Sequence, residues 1–240
     1  MNLKSSLFFG RNILREALAV KAPISEVYYE TESAKKFAAS LYGIKSQNIP
    51  LIPKIPSEFK NQSHQGIAFQ TTHPFYQKFS AGDLRKFPFV ILCNHIEDIH
   101  NFGSIARCAA GFGAGLIIHE EKNSAELTAA AMKSSAGLAF RISFMKVSNL
   151  NIPLKELKAA GFNIVGLDVD KSSVNLFEWV PTFPLALVLG SEGSGMEPAV
   201  KKECDTLVRI AMEAKAESLN VSHAAAIAMN WAYRAANINR

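Results

Sequence analysis

Arg209-Ile210-Ala211-Met212, then after a polar gap Ser218-Leu219-Asn220-Val221-Ser222, leads straight into an Ala-rich run from Ala224 to Ala236. The reading of the whole chain turns on this stretch. The short apolar segment over 206–210 predicts a strand, and the alanine-rich segment predicts a helix. Strand, loop and helix in that order put residues 211–219 at a strand's carboxyl end, the side on which parallel α/β sheets bind ligands.

Working outward, the same alternation recurs. Strands are predicted at 89–93, 115–119, 142–147, 163–167 and 185–189, and helices at 104–112, 125–135, 153–160 and from Pro198. The 185–189 run is wholly apolar, as in strands buried on both faces, so the fold class is α/β with a parallel sheet covered on both sides. The front of the chain reads as a smaller α/β unit. Gly10 opens a helix with Ile13, Leu14, Ala17 and Leu18 on one face. A strand over 25–29 follows, then a helix over 33–42 closed by Gly43 at its C′ position, a strand over 48–52, a short helix over 56–60 and a strand over 66–70. The expected organisation is a small unit at 1–72, a linker at 73–84 containing Pro74 and Gly82, and a larger unit at 85–240.

With 240 residues, 48% of them hydrophobic, the chain can bury a full core. No apolar run is long enough to span a bilayer, and the first residues carry too short an apolar stretch for a signal peptide, so a cytoplasmic location without membrane contact is expected. Cys93, Cys108 and Cys204 are odd in number and far apart, which suits reduced core thiols. The net charge of +5 is concentrated at the front: residues 1–74 hold nine Lys or Arg against five Asp or Glu. That placement suits either a polyanion partner or ordinary surface lysine.

Three strand-end loops carry the chemistry. One contains Asn101-Phe102-Gly103-Ser104-Ile105-Ala106-Arg107, the second Leu189-Gly190-Ser191-Glu192-Gly193-Ser194-Gly195-Met196, and the third is the stretch quoted first. A dinucleotide fingerprint needs G-x-G-x-x-G after a strand and opening a helix. Gly111, Gly113 and Gly115 lie on the wrong side of a strand, and Gly190, Gly193 and Gly195 have the wrong spacing with no helix until Pro198. The second loop instead offers backbone free to take φ > 0 and to approach a flat ligand. Asn101 suits a helix N-cap as well as a catalytic role, and Ser218 and Asn220 likewise suit caps. Arg107, on an otherwise small and apolar helix, either snorkels to water or meets an anion such as a phosphate. Glu192 has no cation near it in sequence. His95, His100 and His119 with Asp98 match no usual zinc spacing, so no metal is expected.

Taken together and in this order, the three motifs resemble those of the SpoU (TrmH-type) RNA 2′-O-ribose methyltransferases of the SPOUT superfamily, nearest the branch that methylates guanosine in ribosomal RNA. The resemblance implies a sheet tied into a trefoil knot, a rare departure from unknotted connections, together with a homodimer and S-adenosyl-L-methionine as cofactor. His64-Gln65-Gly66-Ile67 resembles the end of the small RNA-binding domain that precedes the catalytic domain in the ribosomal branch. By the same resemblance Asn101, Arg107, Glu192, Ser218 and Asn220 are the catalytic set. Leu189, Gly190, Glu192, Gly193, Gly195, Ile210, Met212 and Leu219 are the cofactor set. Ile99 and Ala211 stand where the family usually has proline, which alters loop stiffness more than chemistry.

The implied reaction is attack of a ribose 2′-hydroxyl on a sulfonium methyl. Guanidines lose their proton only above about pH 12, so Arg107 is expected to hold phosphate and developing alkoxide charge rather than act as base, with Glu192 ordering Arg107 or a facing subunit. The front unit favours ribosomal RNA over tRNA as partner. A tRNA enzyme and a non-catalytic RNA-binding or ribosome-assembly protein of the same fold are the alternatives.

Overall fold

A computed structural model describes residues 5–213 and 218–237. Residues 214–217, in the third strand-end loop, lie outside the described residues, as do the chain ends.

The front of the chain forms a four-stranded sheet. Its elements are β1 (Ser6–Phe9), α1 (Arg11–Ala19), β2 (Ile24–Tyr29), α2 (Glu32–Ser40), α3 (Tyr42–Ser46), β3 (Leu51–Ile52) and β4 (Ile67–Thr71). Strand order is β1-β4-β2-β3, with β4 antiparallel to both neighbours. Gly43 does not close α2. Leu41 takes an extended conformation and breaks the helix, and Gly43 lies inside α3, where a Cβ would come 2.8 Å from Leu18 Cδ2. Glycine is used there for close helix packing, not for a left-handed cap. The strand expected over 48–52 shrinks to β3, since Asn48 sits at φ 52.

The remainder runs α4 (Ala81–Leu84), β5 (Phe89–Cys93), α5 (Ile99–Gly111), β6 (Leu116–Glu120), α6 (Ala129–Ser134), β7 (Ser143–Val147), α7 (Asn151–Ala159), β8 (Asn163–Leu167), β9 (Val174–Asn175), β10 (Leu185–Leu189), α8 (Pro198–Lys202), β11 (Thr206–Arg209) and α9 (Val221–Asn237). The seven strands form one sheet, order β7-β6-β5-β10-β8-β11-β9, and every pairing is parallel. The chain steps outward from β5 to β7, then returns past β5 to build the other side. The carboxyl ends of β5 and β10 therefore flank a switch point, where such sheets open a crevice.

Alternation along the strands divides the core. Ile91, Ile117, Val165, Leu187 and Val208 face α5, α6 and α9, whereas Val90, Ile118, Ile164, Ala186 and Val188 face α7 and α8. Residues of β5 and β10 are buried on both faces, which accounts for their unbroken apolar sequences. No helix among the described residues is long and apolar enough to cross a membrane. All three cysteines are free thiols; Cys93 is fully buried, and burial pushes its thiol up to about 12.

Part of the segment expected as a linker packs into this core. Phe75 is buried, its carbonyl accepts from Phe144 N at 2.9 Å, and Gln77 N donates to Phe144 O at 2.9 Å. Phe75 and Phe140 lie against Phe8 with ring centroids 5.6 and 5.8 Å away, and Arg141 Nε donates to Glu16 Oε2 at 2.8 Å. The two sheets thus share one continuous apolar cluster.

α5 begins earlier than its sequence suggests. Asp98, not Asn101, is its N-cap, with the Asp98 carboxylate accepting from Asn101 N at 2.7 Å. An aspartate three residues upstream satisfies the orphan N–H and frees the Asn101 side chain for other contacts. Gly103 lets α5 touch α6: a Cβ there would lie 2.4 Å from Ala131 O and 2.6 Å from Ser134 Cβ. Gly103→Ala is therefore expected to destabilise the protein by about 1–3 kcal/mol through overpacking, measured as a lower urea midpoint with an unchanged slope.

Candidate active site

The Gly-rich loop after β10 is a tight hairpin, closed by Ser191 N to Gly195 O at 3.0 Å and Gly195 N to Ser191 O at 3.1 Å. Gly193 and Gly195 have φ of 91 and 69, conformations that favour glycine. The turn projects Glu192 toward the start of α9. There Glu192 Oε1 accepts from Asn101 Nδ2 at 2.9 Å, from Asn220 Nδ2 at 2.7 Å and from Val221 N at 3.3 Å. Asn220 Nδ2 also donates to Asn101 Oδ1 at 2.9 Å, so one carboxylate and two amides form a closed network drawn from all three motif loops.

Asn220 is held by its own helix. Its Oδ1 accepts from Ser222 N at 2.9 Å and from Ser222 Oγ at 2.6 Å, while Ala224 N donates to its carbonyl at 3.0 Å. The N-cap reading was right for Asn220, and the cap leaves the amide Nδ2 for the network. Ser218 is exposed and lines the cleft described next, without a hydrogen bond among the described residues.

A cleft of about 700 Å³ lies beside the network, within the size range of small-molecule sites. It is lined by all the residues assigned by resemblance to the cofactor: Leu189, Gly190, Glu192, Gly193, Gly195, Ile210, Met212 and Leu219. Ser218 and Asn220 line it too. Leu167, Asp168 and Val169 at the end of β8 also border it, and so does Arg209. Sequence reading missed these, although the strand-end rule that found the other loops applies equally to β8. Asp168 is mostly buried and paired with Lys201 Nζ at 3.3 Å. A second cleft of about 600 Å³ opens on the other side of Glu192, with His95, Asp98, Asn101, Asn123 and Glu197 in its wall.

Arg107 does not join this arrangement. It is exposed on α5, lines neither cleft, and makes no hydrogen bond or salt bridge among the described residues. Glu192 therefore orders Asn101 and Asn220 within the chain, not Arg107. The histidines weighed for metal binding also separate. His100 Nδ1 lies 2.9 Å from Ser134 Oγ, and His119 is fully buried, its pKa driven down to about 4 by burial.

A parallel seven-stranded sheet with a ligand-sized cleft walled by strand-end loops, and a carboxylate–amide network at its lip, defines an α/β protein built to hold a small molecule beside a polar reaction centre. Comparison with known proteins specifies it further. The profile of the SpoU rRNA Methylase family matches residues 88–230. YacO of Bacillus subtilis, whose name places it among TrmH family tRNA/rRNA methyltransferases, is 30% identical over 246 residues, covering 99% of this chain and 98% of YacO. The chain belongs to the SpoU rRNA methylase family and is a methyltransferase of that family.

Among solved structures, the SpoU methyltransferase AviRb from Streptomyces viridochromogenes, in complex with the cofactor AdoMet, has the same fold. It aligns with a TM-score of 0.76 and 22% identity over 96% of this chain and 89% of its own. The TrmH/SpoU tRNA modifying enzyme of A. aeolicus aligns with a TM-score of 0.59 and 29% identity over 63% of this chain and 77% of its own.

Proposed function

We propose that the chain transfers a methyl group from S-adenosylmethionine to a ribose 2′-hydroxyl of RNA, with large-subunit ribosomal RNA as the substrate. The observation that carries this reading is the Asn101–Glu192–Asn220 network at the junction of two clefts. One cleft is lined by glycine backbone and by the apolar side chains of Leu167, Leu189, Ile210 and Leu219, which suits a flat adenine ring. Asp168, paired with Lys201, and Glu192 place carboxylates in the wall with Arg209 beside them, so the cleft presents both signs of charge to a cofactor that carries both. S-adenosylmethionine, when bound, supplies an electrophilic methyl.

The protein's part is alignment. Glu192 fixes both asparagine amides by accepting their N–H groups, and this fixes the Asn101 carbonyl to accept a hydrogen bond from the attacking hydroxyl and orient it, while the hydroxyl proton passes to water as the oxygen–methyl bond forms and the sulfur–methyl bond breaks. Such positioning can contribute about 7–11 kcal/mol, more than most single side chains. Ser218, on the same cleft wall as Asn220, is taken with it into the catalytic set. Arg107 supplies positive charge for the phosphate next to the target ribose. Since it lies outside its own chain's clefts, it serves this role from a second copy of the chain, in a homodimer.

Support for the dimer comes from α9 and the segment before β10. Trp231 is only half-buried, Phe177 stacks edge-on against it at 5.3 Å while itself exposed, and Val180 is exposed nearby in sequence. Ile227 and Ala224 of the apolar stripe are partly open, whereas Ala228 is fully buried in the core and belongs to the monomer. Sedimentation equilibrium should return twice the chain mass of 26.2 kDa; a single-chain mass at working concentration would remove the trans role of Arg107.

The front sheet and its basic excess support an RNA partner, and the presence of this front unit favours the ribosomal branch over tRNA. Incubation of purified protein with methyl-labelled S-adenosylmethionine and either ribosomal RNA or tRNA tests the reading. Label should enter ribosomal RNA, in dinucleotides that resist alkali; label confined to tRNA would reverse the substrate choice.

A further inference from the structure

Two residues in the wall of the second cleft and a buried one behind them form a cluster that sequence reading did not group. His95 comes from the loop after β5, Glu120 from the end of β6 and Glu197 from the residue before α8. His95 Nε2 lies 2.8 Å from Glu197 Oε1, and His95 Nδ1 lies 3.3 Å from Glu120 Oε2. The Glu120 side chain is only 5% exposed. No lysine or arginine among the described residues is paired with either carboxylate, so the only cationic partner within reach is the His95 ring.

His95 Nδ1 makes no aligned hydrogen bond to Glu120, although the two atoms lie 3.3 Å apart. A protonated ring pairs with both carboxylates, one at each nitrogen, with the Asn123 backbone beside it; a neutral ring turns a lone pair toward the buried carboxylate. One ligand atom from each of the three side chains lies within 4.8 Å of the others, so a cation held by one ring nitrogen can take the place of that proton and meet both carboxylates after small side-chain shifts.

We infer that His95, Glu120 and Glu197 form a binding site for a divalent transition-metal ion, zinc or manganese by donor type. One imidazole and two carboxylates suit these ions. Ligand atoms bound at about 2.0–2.1 Å in a tetrahedron lie about 3.3 Å apart, the separation found between Nδ1 and Glu120 Oε2. The support around the site is built in the same sense. His95 is held at φ 54, and buried Asn94 donates from Nδ2 to Glu120 Oε2 at 3.0 Å while its Oδ1 accepts from Glu197 N at 2.8 Å. One side chain thereby fixes both carboxylate-bearing segments, as partners of metal ligands do. His95 and Glu197 line the second cleft, so the remaining coordination positions open toward it, to water or a phosphate oxygen.

The test is calorimetric titration of chelator-treated full-length protein with zinc chloride and with manganese chloride, alongside His95→Asn and Glu197→Gln. Asparagine tolerates the left-handed backbone at position 95, and position 197 is half-exposed, so both variants should fold; circular dichroism checks this. The expected result is one ion per wild-type chain, with affinity at least about tenfold weaker in each variant. Cobalt substitution should give a visible spectrum without the thiolate charge-transfer band. No uptake by wild type, equal uptake by the folded variants, or a thiolate-type cobalt spectrum would each overturn the assignment. S-adenosylmethionine binding, measured on the same samples, is independent of the outcome.

Discussion

Arg107→Ala is expected to lower the single-turnover rate of methyl transfer by about 10²–10³, the usual cost of losing one preorganised charge-stabilising donor, while S-adenosylmethionine binds as before. The binding half follows from position: Arg107 is exposed on α5 and outside the cleft proposed for the cofactor. The rate half follows from the role of a cation at phosphate and developing alkoxide. Arg107→Lys should fall between wild type and alanine, because it keeps the charge and loses the planar fork. Rates across a pH series discriminate this from proton abstraction. A lysine variant that overtakes wild type in alkali would identify position 107 as a base and refute the electrostatic role.

Gly190→Ala is expected to weaken S-adenosylmethionine binding and to destabilise the fold together. An added Cβ would lie 2.4 Å from the carbonyl carbon of Gly195 and 2.5 Å from Met196 N, both backbone atoms that cannot step aside. The hairpin must open, and Glu192 moves with it, away from Asn101 and Asn220. Overpacking of this kind costs about 1–3 kcal/mol, which if it falls wholly on binding is roughly 5–150-fold in Kd. Gly111→Ala is the control, since nothing lies within 4 Å of its added Cβ. Calorimetry should show weakened binding in the first variant and wild-type binding in the second; equal binding in both would remove the Gly-rich loop from the cofactor site.

What could be read from the sequence was what local pattern controls. The apolar runs of β5 and β10 and the glycine after α7 declared themselves because burial and left-handed backbone demand particular residues. The cleft proposed for the cofactor was legible as a cavity for a related reason: strand ends follow from strands, and all eight residues named for it line one cavity. β9 was missed because two residues carry no period, and β1 because its four residues sit at the very start. Gly43 misled because glycine serves close packing as well as helix ends, and only the contact with Leu18 separates the two. Asn101 was read as a cap because the competing cap, Asp98, differs only in register. The carboxylate–amide network was beyond local reading altogether, since Asn101 and Glu192 are 91 residues apart. The same holds for His95 with Glu120 and Glu197, which the sheet order alone makes neighbours.

Mapping of ribose methylation across ribosomal RNA and tRNA, in cells with and without the gene, tests the central claim most directly. The account predicts that one 2′-O-methyl group in large-subunit ribosomal RNA disappears with the gene and returns with the wild-type protein, but not with Arg107→Ala. An unchanged ribose methylation pattern, or loss of a base methyl group instead, would contradict it.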